Sequence, residues 1–471
     1  MNWLKWITHT RKIITYFKEN NELIKSVVLT VLIVLSLVLT WSLWTFKPSY
    51  PALQDARTLK KQQVDVEDQK ELSDVVYPTQ VIYHKGEKLY GLEANDMIKK
   101  FHDQIKNAKF SFDSSQRTPT SFDPRNFPLK DMKNNEYIEI IYPFGMPQEI
   151  YKEVFSFDAE VSASKPQNVD RLFLYQGSEN VEGYLVSYNL KKKQKVTSSL
   201  SLNSMINDID KAIENGGFVP YLSYDVKDNA VEGRNNLKNR LYFPKKQINL
   251  NRLTYISQAI TEDTYEKYKK ALFKDPLAVK SVSDQNETTF TDGTSAMVIK
   301  QMENRFTYTN FASYNLNNST NSSPLFQSID YINTHAGWGN SYILSNLSQD
   351  SAGFWLYVNN LPVLDQDVQM NLEWDDNELK KYERSMIQLD LAKNLHPNDG
   401  LLEKVKIESG EKVKQELSED YNDNYIQDVR IGYTMERQAE PHIYRLEPRW
   451  FINYLNKGWL PLFKSDGEEG Y

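Results

Sequence analysis

The chain has 471 residues, no cysteine, and a formal charge of −7 from 56 basic and 63 acidic side chains. The missing cysteines exclude disulfides, thiolate catalysis and Cys-ligated zinc or iron–sulfur centres, and the acidic balance argues against nucleic acid as a partner. Aromatic residues make up 13% and mean hydropathy is −0.61, the profile of a folded, water-facing protein with room for two to four domains.

Residues 1–25 carry Lys5, Arg11, Lys12, Lys18 and Lys25 against Glu19 and Glu22, a net +3 that leaves −10 for the rest. This tail is either a short amphipathic helix on a membrane surface or a basic segment without fixed structure. Ser26 to Phe46 then runs for 21 residues without a charge, roughly 31 Å as a helix, which is the thickness of a bilayer core. Trp41, Trp44 and Phe46 crowd one end, as an interfacial belt would. No small-x-small cleavage site follows, so 26–46 is expected to be an uncleaved transmembrane helix. The Lys/Arg excess before the span places the N-terminus in the cytoplasm and the bulk of the chain outside the cell membrane, in a single pass.

The span also has a sidedness. At about 100° per residue, Ser26, Thr30, Ser36 and Thr40 gather on one face with Ile33, Leu37 and Trp44, while Leu32, Leu35 and Leu39 point elsewhere. Small hydroxyl residues let helix backbones approach closely, so this face is the candidate contact for a partner helix. The alternative is that the hydroxyls bond back to their own helix.

Residues 47–75 are polar and read as a juxtamembrane spacer. Strand signals begin with Val81–Tyr83 and Leu89–Tyr90 around a Gly-containing turn. A helix from Glu93 to Ala108 puts Met97, Ile98, Phe101 and Ile105 on one face. Strands at 110–112, 137–142, 155–163, 171–176 and 183–190 and a short helix after Pro147 complete an α+β domain over 76–200. A helix at 202–214, stopped by Gly216-Gly217, opens a second α+β unit over 201–285. Strands are expected there at 218–224, 240–243 and 253–256, and a helix at 262–273. The third unit, 286–471, is expected to be mostly antiparallel β. It has a hairpin turning at Asp292-Gly293, a helix from Pro324 to His335, a helical or loop-rich acidic stretch over 373–424, and closing strands.

No catalytic motif stands out. GxSxG, HExxH, Walker A, dinucleotide-binding and EF-hand patterns are missing, and the six histidines are never at ligand spacing from one another. His102 and His335 fall on predicted helices as surface or capping residues. Glu419, Asp420 and Asp423 form a weak calcium-like cluster better read as a solvated loop. His335-Ala-Gly-Trp-Gly reads as a helix cap and turn. No catalytic, cofactor or metal residues are therefore assigned, and no cofactor is expected.

Several segments resemble one family. LVLTWSLWTFKPSYP at 37–51, YPTQVIYHKGEKLYGL at 77–92, IIYPFGMP at 140–147, IGYTMER at 431–437 and LEPRW at 446–450 are similar to the YycH family of accessory regulators. The resemblance implies three extracytoplasmic domains, the last two akin to the companion YycI. It further implies non-enzymatic control of a WalK (YycG)-type sensor histidine kinase, largely through transmembrane-helix contacts. The rivals are an anchored ligand-binding module and an anchored cell-wall enzyme, and either calls for a concave site with convergent polar groups.

Overall fold

The computed structural model describes residues 21–45, 69–92, 95–116, 118–127, 136–158, 164–228, 236–312, 323–375, 377–389, 402–440, 442–455 and 457–463. The chain divides into two compact units, Met1–Lys60 and Lys61–Tyr471. The first contains helix α1, Asn21–Thr45. Its described side chains are Lys25, Ser26 and those of 29–40, and the apolar ones among them are all exposed. Residues 1–20 of the expected 1–25 tail, residues 47–68 of the expected 47–75 spacer, the Trp44 side chain and Phe46 lie outside the described residues. Among the described residues, no helix is long and apolar enough to cross a membrane.

The second unit opens with a single turn, α2 (Leu72–Val75). Strands β1 (Gln80–Lys85) and β2 (Lys88–Leu92) form the expected hairpin, closed by Gly86 at φ +63° opposite a Lys85–Lys88 pair; a two-residue turn of this hand needs a positive φ there. Helix α3 (Asn95–Asn107) buries Ile98, Phe101 and Ile105, as its 3.6-residue spacing predicts. His102 is a correction: it is buried rather than on the helix surface. Its Nε2 lies 2.9 Å from the Ser73 carbonyl and its ring packs on Tyr77, because α2 and the residues after it fold over that side of the helix.

Strands β3 (Lys109–Phe112), β4 (Thr120–Ser121) and β5 (Glu136–Pro147) lead to α4 (Gln148–Val154). Next come β6 (Ser156–Phe157), β7 (Asn168–Gln176), β8 (Val181–Ser187) and β9 (Lys192–Ser198). The last was hidden in sequence by its lysines, which alternate with buried Gln194 and Val196. Helix α5 (Leu202–Glu214) ends as predicted, with Gly216 left-handed and the Gly217 N–H donating to the Ala212 carbonyl at 2.7 Å. It buries Leu202, Met205 and Ile209, worth about 1.5–3 kcal/mol each. Its half-exposed ion pairs, Asp210 with Lys85 and Asp208 with Lys100, add at most about 1 kcal/mol apiece. Apolar burial therefore sets this helix in place.

With β10 (Phe218–Asp228) and β11 (Asn236–Pro244), these strands make an eleven-stranded sheet in the order β11-β10-β2-β1-β5-β7-β8-β9-β3-β6, with β4 beside β9. Each pairing is antiparallel except β3 with β6.

The remaining chain supplies two further sheets. Strand β12 (Ile248–Ile256) is followed by α6 (Glu262–Leu272), β13 (Lys280–Ser283), β14 (Glu287–Thr291), β15 (Ser295–Lys300) and β16 (Arg305–Asn310). Helix α7 (Pro324–Thr334) precedes β17 (Tyr342–Leu347), β18 (Ser351–Val358), β19 (Leu361–Pro362), β20 (Met370–Asp375) and β21 (Glu378–Ser385). The chain closes through β22 (Leu402–Ile407), α8 (Gly410–Asp420), β23 (Ile426–Arg437), β24 (Ile443–Tyr454) and β25 (Trp459–Pro461). A nine-stranded sheet runs β13-β14-β15-β16-β21-β20-β18-β17 with β19 beside β18, and a five-stranded sheet runs β22-β12-β24-β23 with β25 beside β24.

The helical or loop-rich reading of 373–424 is corrected at β20, β21 and β22. ELKKYERS looks too charged for a central strand, yet Leu379 and Tyr382 point inward while Lys381 and Glu383 pair laterally on the outer face. The segment 201–285 is shared among the sheets: β10 and β11 extend the first, β12 belongs to the five-stranded sheet, and α6 packs Tyr268 against Phe306 of the nine-stranded one. One continuous core joins the first and nine-stranded sheets, and a second joins β10 and β11 to α8 and the five-stranded sheet.

Candidate functional site

Two features are candidates for a functional site, the face of α1 and a cleft among the three sheets. On α1, the Thr30 hydroxyl donates to the Ser26 carbonyl and the Thr40 hydroxyl to the Ser36 carbonyl, each at 2.8 Å. Two of the four aligned hydroxyls thus bond back to their own helix. Their oxygens keep acceptor capacity and their small size is unchanged. Ile33 and Leu37 on the same side are more than half exposed, with relative areas of 52% and 64%.

The cleft begins at a polar core set into the first sheet. Along β5, residues of YIEIIY alternate between faces, and Glu139 shares the face of Tyr137. Arg171 on β7 and His84 on β1 reach the same spot. Glu139 accepts from Arg171 Nη1, from His84 Nε2 at 3.0 Å and from the Tyr242 hydroxyl at 2.7 Å. Tyr242 comes from β11, four strands from β5 in the sheet order, so the sheet must curl strongly to bring it there. Arg171 Nη2 donates onward to Asn239 Oδ1 at 2.7 Å and to the Arg240 carbonyl at 2.8 Å.

The electrostatics of this cluster are set by burial and by pairing. Burial pushes the Glu139 carboxyl up, but the Arg171 charge and the bonds from His84 and Tyr242 outweigh it and hold the group at about 2. Burial pushes His84 down, so it is neutral and donates its Nε2–H. Its ring is stacked on Tyr137 at 4.0 Å. Asp170 beside Arg171 is pushed up, also by burial. The cluster is a sealed hydrogen-bonded clamp: a carboxylate shared by three donors, with no face of the imidazole turned to solvent.

From Arg171, Arg240 and Tyr242 the wall opens into a cleft of about 570 Å³. Its far side comes from the other sheets, with Trp355 and Tyr357 on β18, Arg430 on β23, Trp450 and Asn453 on β24, and Trp459 on β25. Arg430 lies 5.3 Å from the Trp355 ring centre and 4.8 Å from that of Trp459, and pairs with Asp428. The hydroxyls of Tyr142 and Tyr357, Oδ1 of Asn453 and Nη1 of Arg430, all on residues of this wall, are buried without a partner.

Other residues singled out in sequence take structural roles. His335 caps α7, its ring stacked on Tyr331 at 4.0 Å. The turn after it has Ala336, Gly337 and Gly339 at positive φ. The buried Arg384 guanidinium holds that turn by donating to the carbonyls of Gly337 at 2.5 Å and Trp338 at 2.7 Å. Asp423 is a correction to the solvated-loop reading, since it accepts from the Tyr224 hydroxyl at 2.7 Å and ties 423–425 to β10. Among the described residues no group of three or more His, Asp or Glu is placed to hold a metal ion. Sequence reasoning missed the Glu139 clamp. Its signal was a carboxylate inside YIEIIY and an Asp-Arg pair inside VDRLFLY, charges that strands of that composition bury only when paired.

An α+β chain of three mainly antiparallel sheets, preceded by one apolar helix, is the class that this geometry defines. Comparison narrows it, because residues 22–216 match the YycH protein N-terminal domain and residues 238–467 match the YycH protein C-terminal domain. The chain belongs to the YycH family. It is 22% identical to the Bacillus subtilis (strain 168) protein named two-component system WalR/WalK regulatory protein YycH, over 94% of this chain and 97% of that one. It also shares its fold with the crystal structure of YycH from Bacillus subtilis, at a TM-score of 0.66 and 18% identity over 84% of this chain and 98% of that one.

Proposed function

We propose that this protein is a membrane-anchored, extracytoplasmic regulator of a two-component system, acting on a sensor histidine kinase of the WalK type. The observation that carries the reading is the extent of the family match. It begins at residue 22, so it takes in α1 together with the sheets, and a relative named for WalR/WalK regulation aligns over 94% of the chain. In this reading 26–46 crosses the membrane once with its N-terminus in the cytoplasm. The exposed apolar side chains along 29–39 support it, since such a surface is stable only in an apolar solvent or against another helix. The protein works by contact rather than catalysis, and the sealed His84–Glu139 pair, with each partner already bonded, fits that role. A YycI-like companion shares the complex, and the output is the tuning of cell-wall homeostasis.

Ser26, Thr30, Ile33, Ser36, Leu37, Thr40 and Trp44 form the proposed contact with the partner helix. Hydroxyl contacts in a bilayer average roughly 0.6 kcal/mol, so several are needed together with close packing. The test is co-purification of the full chain with the kinase from solubilised membranes. Replacing Thr30, Ser36 and Thr40 together by Leu is expected to lower recovery of the kinase severalfold, whereas replacing Leu32, Leu35 and Leu39 by Ile leaves it unchanged. Equal effects of the two sets, or none from the first, would reduce the helix to an anchor. Failure of the unaltered protein to retain the kinase would overturn the regulatory reading itself.

A further inference from the structure

The cleft among the three sheets is lined wholly by residues of Lys61–Tyr471, and its chemistry differs from that of the helix face. Three guanidinium groups line it, and each has a carboxylate partner that balances its charge: Arg171 with Glu139, Arg240 with Asp225 at 2.6 and 3.1 Å, and Arg430 with Asp428, although Nη1 of Arg430 stays buried without a hydrogen-bond partner. An incoming anion would meet cations whose charge is already answered, with little to offset its loss of hydration. The wall is rich instead in planar neutral groups. Asn346, Asn360, Gln366 and Gln369 line it together with the half-buried indoles of Trp355 and Trp459, which stand 5.5 Å apart at 80°. Amides donate and accept together, as hydroxyl-bearing ligands require. Indole faces receive apolar ring faces while the ring's edge stays polar. The volume falls within the ~300–1,000 Å³ of small-ligand sites.

We propose that this cleft binds a neutral oligosaccharide, its ring faces stacked on the faces of Trp355 and Trp459 that Arg430 does not cover and its hydroxyls bonded by the surrounding amides. The inference stands apart from kinase regulation. Because strands of all three sheets line the cleft, an occupant would cross-link them.

The test is isothermal titration of the full chain, held in a detergent without a sugar headgroup because a maltoside would compete. The probes are maltohexaose, tetra-N-acetylchitotetraose and, as the charged comparison, hexagalacturonate. Saturable binding of either neutral glycan is expected, and which one binds distinguishes a glucan from an N-acetylated amino sugar. Trp355→Ala and Trp459→Ala should each weaken it by about tenfold, the scale of one lost stacking ring. Trp355→Phe keeps an aromatic face and should retain most of the affinity, which separates stacking from a folding defect. Kinase recovery should be unchanged in all three variants. No saturable heat with either neutral glycan at millimolar concentration would overturn the proposal. So would tighter binding of hexagalacturonate, or unchanged affinity in both alanine variants.

Discussion

Glu139 stands inside an apolar strand, where an unpaired carboxylate would have to give up its charge. Arg171, His84 and Tyr242 let it keep that charge. Removing one partner from such a buried pair leaves the other uncompensated, at a cost of about 3–5 kcal/mol, whereas removing both leaves nothing to desolvate. Glu139→Ala is therefore expected to lower the urea midpoint of the full chain sharply, and Glu139→Leu with Arg171→Met to lower it by much less than the two single changes added together. Additive losses would show that the pair is not coupled. His84 gives a second expectation, in pH. Its folded-state pKa lies below the ordinary 6.5 because burial disfavours the imidazolium, and His102 is lowered by burial as well. Below 6.5 the unfolded chain takes up protons that the folded one does not, so stability is present at neutral pH and is lost as pH falls. The slope is up to about 1.4 kcal/mol per pH unit for each imidazole. Unfolding midpoints at pH 7 and pH 5 should differ, and His84→Gln with His102→Gln should flatten that difference. Glu139 adds nothing in this window, since its stabilisation is present above 4.5 and is lost only as pH falls toward about 2.

At the scale of elements, α8 shows how closely a helix can be docked when one residue has no side chain. A Cβ on Gly410 would lie 2.6 Å from both Phe243 Cβ and the Pro244 carbonyl on β11. The first turn of the helix therefore rests directly on the strand, while Val413 and Leu417 fill the core beyond it. Gly410→Ala should force the two apart and cost about 1–3 kcal/mol. Lys414→Ala, on the exposed side of the same helix, should stay within ~0.5 kcal/mol. Equal melting temperatures for the two variants would contradict the docking seen here.

At the scale of the whole molecule, the strands over 218–256 enter two different sheets, and the helix after them packs on a third. A continuous core links the first sheet to the nine-stranded one, and another links its β10–β11 edge to the five-stranded one. Lys61–Tyr471 should consequently unfold as one cooperative unit. Tryptophan fluorescence and far-UV circular dichroism are expected to give coincident urea transitions. Two separated transitions, or a stably folded fragment ending near residue 285, would show that the sheets are independent.

Local pattern alone determined much of this protein. The apolar run at 26–46, the hairpins turning at Gly86 and Gly293, and the helices 202–214 and 324–334 were legible because each rests on neighbours a few residues apart. So was the family, carried by short segments such as IIYPFGMP. Tertiary structure decided the rest. Strand β21 reads as charged surface until β16 and β20 flank it and its lysine and glutamate side chains pair sideways. Arg384 is an unremarkable basic residue until the turn after α7 offers it two carbonyls. The cleft is invisible in sequence because its walls come from strands separated by up to about 380 positions, Gln80 at one extreme and Trp459 at the other. Pairing of β-strands is set by contacts between distant segments, and no local periodicity records which strands will meet.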